Sequence, residues 1–186
     1  MKTRDSGMPA QAVWQSFFDP AAVLLALGLT PDCDCVIDLG CGYGTFAIPA
    51  ARFVRGAVHA IDIDPEMVRE TRRNAPPNLQ VQQRDFLDSG CGLGAGEADY
   101  VMLFNLLHAT ESERLVAEAR RVLRPGGRLG VMHWNYDAST PRGPDLEIRP
   151  RPEECRLLVE RGGFQVGPLI DLPPHHYGFV GSRVGS

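Results

Sequence analysis

Residues 35–44 read CVIDLGCGYG, a short apolar run that passes directly into glycines at the alternate positions 40, 42 and 44. An apolar run of this length, ending in glycines, predicts a buried strand and a tight turn. Glycine there permits backbone conformations closed to other residues and lets the main chain come close to a ligand. Residues 46–54 have helical character, with Pro49 near the start, where first-turn amides lack intrahelical partners. A second apolar run, AVHAI (57–61), follows. Strand, glycine turn, helix and strand in that order predict a layered sheet with parallel neighbours.

The rest of the chain extends the alternation. Residues 13–28 predict one or two helices, broken near Asp19-Pro20. Asp64, Pro65 and Glu66 form a helix start, with an N-cap acid, a proline at the first position and an acid near the positive helix end. That helix stops near Asn74, before Pro76-Pro77. NLQVQQ (78–83) alternates like an edge-side strand, and ADYVMLF (98–104) reads as a central strand covered on both faces. A glycine-rich loop lies between them. Thr110 and Glu113 fit a capping box opening a helix through Leu123, which Pro125-Gly126-Gly127 ends. RLGVMHW (128–134) is a strand, a helix runs from about Glu153 to Arg161, and two strands (about 164–170 and 177–184) close the chain as an antiparallel pair. The expected fold is α/β: a doubly wound, seven-stranded, mostly parallel sheet with an antiparallel last strand and helices on both faces. The expected organisation is one domain over 1–186, with 1–30 as a helical cover and 31–186 as a Rossmann-like core. The connection at 135–152 is long enough to be a functional loop.

Composition narrows the function classes. Net charge is −4, so no general basic excess favours nucleic acid as a partner. No apolar run approaches the roughly 18 residues of a membrane span, and residues 1–11 lack the apolar core of a signal peptide. A cytoplasmic location is expected. Cys33, Cys35 and Cys41 lie close together without the second half of a zinc pattern, so no metal is expected.

In a doubly wound sheet the ligand lies at the carboxyl ends of the strands. The glycine loop there fits a dinucleotide or an adenosyl sulfonium, S-adenosylmethionine (SAM). Asp38, at the end of the first strand, separates the two. Its carboxylate would repel a pyrophosphate by roughly 4 kcal/mol per charge pair at about 4 Å and attract the ammonium and sulfonium of SAM. Asp62 can accept two hydroxyl hydrogen bonds with its two oxygens.

These segments resemble, in order, the motifs of class I SAM-dependent methyltransferases. VIDLGCGYG is similar to the glycine-rich first motif, implying cofactor contacts from Asp38, Gly40, Cys41, Gly42, Tyr43 and Gly44. AIDIDPEMV (60–68) resembles the second, implying that Asp62 binds the ribose hydroxyls, with Ile63 beside the adenine and Met67 nearby. QRDFLD (83–88) implies Asp85 at the adenine amino group, with Phe86 packing against it. FNLLHAT (104–110) implies Asn105 and Leu106 in the cofactor wall, and LRPGGRLGVMHW (123–134) resembles the turn and fifth strand. The resemblance implies a strand order 3-2-1-4-5-7-6 and methyl transfer from SAM, yielding S-adenosylhomocysteine, to an acceptor. The small cover favours a small-molecule acceptor. A SAM-binding or partner-binding protein without catalysis is the alternative, with an NAD(P)-dependent oxidoreductase less favoured.

Methyl transfer is an in-line displacement that rests on alignment and exclusion of water, with a base required only where the acceptor must lose a proton. His108 is the candidate base. His133, Trp134, His176 and Tyr177 are candidate acceptor contacts, together with Tyr136 and His175. Arg142, Arg149 and Arg151 read as solvated surface, with anion binding as the alternative. Trp14, Phe17 and Phe18 can cover the methionine end of the cofactor.

Overall fold

The computed structural model describes residues 9–185. Residues 1–8 of the expected cover, and most of the polar N-terminal stretch, lie outside them. The elements in chain order are α1 (Gln11–Gln15), α2 (Pro20–Ala26), β1 (Cys35–Leu39), α3 (Ala47–Phe53), β2 (Ala57–Asp62), α4 (Pro65–Arg73), β3 (Leu79–Gln83), α5 (Phe86–Ser89), β4 (Ala98–Phe104), α6 (Ser112–Val122), β5 (Leu123–Trp134), α7 (Pro152–Arg161), β6 (Phe164–Val166), β7 (Ile170–Leu172) and β8 (His176–Arg183).

The sheet runs β3-β2-β1-β4-β5-β8-β6, with β7 also paired to β8. The first five strands are mutually parallel, and β8 is antiparallel to β5, β6 and β7. Eight strands replace the seven expected because the edge is broken. Val166 pairs with Gly181 and Ile170 with Gly178, so four steps on the edge face three on β8. The extra residue is a bulge that divides one edge strand into β6 and β7.

Two apolar layers sandwich the sheet. On one face, Ile37, Val101, Leu103, Val131 and Phe179 pack against Leu115, Val116 and Ala119 of α6 and Cys155 and Val159 of α7. On the other, Val36, Ala60, Tyr100, Met102 and Met132 pack against Val23 and Leu24 of α2 and Ala47 and Ala50 of α3. Six of the seven residues of β4 are buried, the signature of a strand covered on both faces. The Tyr100 hydroxyl donates to the Leu27 carbonyl at 2.8 Å, tying the loop after α2 to the sheet.

Local chemistry sets the helix ends. The Asp64 carboxylate accepts from the Glu66 amide at 2.8 Å, and Asn74 closes α4 as expected. At α6 the expected capping box does not form. The Thr110 hydroxyl donates to the Glu111 carboxylate instead, and turns through Ala109 and Ser112 delay the helix start to Ser112. The loop after β3 holds a short helix that the glycine-rich composition hid: Asp85 caps α5 by accepting from the Leu87 and Asp88 amides. Strand β5 begins at Leu123, paired with Ala98, and the Pro125-Gly126-Gly127 turn is an excursion before pairing resumes at Arg128.

Gly130 is fixed by a close approach, since a Cβ there would lie 2.0 Å from the Tyr100 hydroxyl. Gly130→Ala is expected to lower unfolding stability by about 2–4 kcal/mol, because the displaced ring belongs to a close-packed, hydrogen-bonded core. Chemical denaturation checks this. Wild-type stability in the variant would show that the Tyr100 ring moves aside at no cost.

Candidate functional site

The glycine turn after β1 is folded back onto the end of β2. The amides of Gly40 and Cys41 donate to the Ile61 carbonyl at 2.8 and 3.1 Å. The Gly42 amide donates to Asp62 Oδ2 at 2.8 Å, and the Asp64 amide donates to Asp62 Oδ1 at 2.9 Å. From α4, the Thr71 hydroxyl donates to the Gly42 carbonyl at 2.8 Å. Gly40, Gly42 and Gly44 all have positive φ. The backbone at two of them is also pressed on by neighbours: a Cβ on Gly40 would lie 2.8 Å from the Leu106 side chain, and one on Gly44 would lie 2.8 Å from Thr71. At Gly40 and Gly44 the turn, a backbone cradle, therefore has no room for a side chain.

Two carboxylates sit under this cradle. Asp38 is 3% exposed and Asp62 9%. Burial, and then the neighbouring Asp62 charge, push the Asp38 carboxyl up to about 7, against an opposing hydrogen bond from the Ala47 amide. Burial also raises Asp62, while its bonds to the Asp64 and Gly42 amides lower it. A carboxylate offers about four acceptor positions. Each Asp62 oxygen takes one backbone amide here, which leaves capacity for the two hydroxyls of a ribose. The Cys41 thiol is raised well above its ordinary value by burial and by Asp38 and Asp62, so it holds its proton.

Around the cradle the strand ends converge. Ile63 is half-buried beside Asp62, and Met67 is buried in α4. Asp85 and Phe86 follow β3, next to β2, where the Arg84 amide donates to the Asp62 carbonyl at 2.9 Å. Asp85 caps α5, and Phe86 is buried in the core layer that includes α6. After β4, Asn105 has φ 58°, the one positive value at a non-glycine residue among those described. Its amide nitrogen and oxygen are both buried without a hydrogen-bond partner. The hydroxyl of Thr45, next to the cradle, is orphaned in the same way. Strain and unpaired polar atoms at one place mark a surface shaped for something other than self-packing. The donor and acceptor set therefore fits an adenosyl ligand, with acids for hydroxyl and cationic groups and an unpaired amide in the wall.

A second cluster lies at the ends of β5 and β8, and strand alternation divides it. Trp134, 2% exposed, pairs in register with His176, and their rings are 4.2 Å apart. Phe18 meets His176 at 4.7 Å and Phe46 at 5.2 Å, and Phe46 meets Phe104 at 4.9 Å. Trp14, Phe17 and His175 also contact Trp134. The N-terminal aromatics thus pack on the Trp134 side of the sheet. The next pair in register, His133 and Tyr177, lies on the opposite face. The Tyr177 hydroxyl is turned into the core, its one proton shared between the Pro150 carbonyl at 3.1 Å and the Cys155 sulfur at 3.2 Å. Tyr177 therefore does not join Trp134 and His176. His133 is fully buried, and its Nε2 lies 3.3 Å from Nδ1 of half-buried His108.

Arg149 has a role that neither sequence reading anticipated. It is 7% exposed, and its guanidinium donates to the carbonyls of Asn135, Asp137, Arg142 and Pro144 and to the Thr140 hydroxyl. It is the internal post around which the long connection after β5 is wound, not a surface arginine. Nothing in the linear sequence sets it apart from Arg142 and Arg151, both exposed. The Arg151 guanidinium stacks 3.9 Å over the Tyr136 ring.

Comparison with known proteins agrees with this geometry. Residues 36–127 match the family model described as a methyltransferase domain. The chain is 33% identical over 144 residues to the aklanonic acid methyltransferase DauC of Streptomyces sp., a match covering 68% of this chain and 64% of that protein. It is 39% identical over 106 residues to the ribosomal protein L11 methyltransferase of Methylococcus capsulatus, covering 55% of this chain and 35% of that protein. The chain thus spans between about a third and two thirds of the length of these relatives. The crystal structure of a SAM-dependent methyltransferase from Aquifex aeolicus has the same fold, with a TM-score of 0.82, 24% identity and 94% of each chain covered. Residues 36–127 thus match a methyltransferase domain, and the fold is that of SAM-dependent methyltransferases.

Two outcomes follow from this geometry. An acid whose folded pKa of about 7 lies above its ordinary 3.8 opposes folding when ionised. Asp38 therefore costs the ligand-free protein stability progressively as pH rises from about 4 to about 7, and the full cost persists above that. Asp38→Asn is expected to melt at a higher temperature than wild type at about pH 8, with the gain shrinking as pH falls through 7, as thermal melts across pH will show. Arg149→Met is expected to cost about 2–4 kcal/mol by stranding several loop carbonyls, and to make residues 135–150 the first site of limited proteolysis.

Proposed function

We propose that this chain transfers the methyl group of SAM to a small-molecule acceptor. The observation that carries this reading is the pair of buried carboxylates, Asp38 and Asp62, beneath a turn of bare glycine backbone. A cationic ligand relieves their mutual repulsion, whereas a pyrophosphate adds to it, which argues against a dinucleotide. In this reading Asp62 accepts from both ribose hydroxyls while keeping its two amides. Asp38 faces the cationic end of the cofactor, Asp85 lies toward the adenine, and Asn105 offers its unpaired amide from the wall. When bound, SAM supplies a methyl group on a sulfonium centre whose departure leaves a neutral thioether. The protein then has to align the acceptor and keep water out.

The acceptor side is read from the second cluster. The rings of Trp14, Phe17, Phe18, Trp134 and His176 make an apolar, aromatic boundary that suits a small, flat acceptor. The match to DauC, whose name records a small-molecule acceptor, extends over more of that relative than does the match to the ribosomal protein L11 methyltransferase. His108 is the candidate base for an acceptor that must lose a proton.

Calorimetric titration of cofactor-free protein with SAM, S-adenosylhomocysteine and NAD tests the reading. Binding of both adenosyl ligands and not NAD is expected. Asp62→Ala, which removes the hydroxyl acceptor and unties the Gly42 turn, is expected to weaken it at least about thirtyfold. Binding of NAD alone, or of none of the three by folded protein, would reject the proposal.

A further inference from the structure

Two imidazoles in hydrogen-bond contact can share only one proton between the facing nitrogens, so each ring dictates the tautomer of the other. His108 Nδ1 and His133 Nε2 face each other at 3.3 Å. We infer that His133 is a positioning residue: its Nε2 accepts from His108 Nδ1–H and so leaves Nε2 of His108 with the lone pair that takes the acceptor's proton. This rests on the methyltransferase reading and deepens it, because it assigns an acceptor whose nucleophilic atom carries a removable proton, such as a phenol or an enol.

Three observations favour this direction of the bond. First, His133 is fully buried at the end of β5, enclosed with His108, Tyr177, His176 and Arg149 as its titratable or charged neighbours. Burial, and then the proximity of His108, keep His133 neutral, so one of its ring nitrogens is an acceptor. Second, Nδ1 of His133 has no hydrogen-bond partner, so no neighbouring donor requires a lone pair there. A proton on Nδ1 makes Nε2 the acceptor. Third, once His108 becomes an imidazolium, both of its nitrogens are donors and the facing nitrogen must accept. Only a neutral His133 with its lone pair on Nε2 serves His108 before and after proton transfer without rearranging. A base oriented by a third, less accessible group is a general arrangement for proton transfer.

The acceptor's heteroatom attacks the sulfonium methyl carbon, and the new heteroatom–carbon bond forms as the carbon–sulfur bond breaks. The pair of electrons from that bond stays on sulfur. The proton of the acceptor goes to His108 Nε2 and is later released to solvent, while His133 keeps its own proton on Nδ1 throughout.

The test does not depend on knowing the acceptor. Long-range nitrogen–proton NMR of ring-labelled protein at about pH 8, where an ordinary histidine is neutral, reports which ring nitrogen carries the proton. In wild type, His108 is expected to be protonated on Nδ1 and His133 on Nδ1, with and without saturating S-adenosylhomocysteine. In His133→Phe, which fills the space and removes the acceptor, His108 is expected to lose its exclusive Nδ1–H signature, and the affinity for S-adenosylhomocysteine is expected to stay within about threefold. A wild-type His108 protonated on Nε2, or an Nδ1–H signature unchanged in His133→Phe, would overturn the inference. If His133→Phe does not fold, the wild-type spectrum decides alone. Failure of wild type to bind S-adenosylhomocysteine would instead sink the methyltransferase reading, so the two failures are distinguishable.

Discussion

The site depends on one carboxylate that holds two pieces of backbone. Asp62 takes the Gly42 amide on one oxygen and the Asp64 amide on the other. Through Gly42 it fixes the glycine turn that follows β1. Through Asp64 it fixes the residue that caps α4, and Thr71 of that helix returns to the Gly42 carbonyl. The ring of contacts closes on the backbone of Gly42. Charge-assisted bonds to backbone amides are stronger than neutral ones, so an acid at this position keeps the cradle in shape before any ligand arrives. The same acid is the group proposed to receive the ribose, which couples the shape of the cradle to its occupancy.

The β5–β8 ladder performs a separation. Two consecutive pairs in register, His133 with Tyr177 and Trp134 with His176, point to opposite faces because side chains alternate along a strand. One face receives the N-terminal aromatics, and the other receives the histidine pair and the tyrosine buried against α7. An apolar boundary and one member of the proposed proton-handling pair are thus built from adjacent residues of β5.

Much of this was legible in the sequence. The strand-and-glycine motif, the Asp64-Pro65 helix start and the buried runs of β1, β2 and β4 are local signals, and the strand order came with the family resemblance. What was not legible is non-local. The bulge between β6 and β7 depends on how the edge segment meets β8, which no local pattern encodes. Thr110 and Glu113 satisfied a capping pattern, but the chain leaving β4 spends extra residues turning before α6 starts. Asp85 is both a candidate ligand group and the cap of α5, a four-residue helix too short to show a helical period in the sequence. His133 and His108 are far apart in the sequence and meet only because β4 and β5 are neighbours. Arg149 looked like its exposed neighbours because burial of a guanidinium is decided by the carbonyls that surround it.

The winding of residues 135–150 about Arg149 has an evolutionary consequence. Four of the groups that Arg149 holds are main-chain carbonyls, which every amino acid carries. At Asn135 and Arg142 the chain is therefore held through its main chain and not through the side chain. Substitution there can change the surface of the loop while the path of the chain stays the same. Selection can vary that surface without first solving the folding of the loop again.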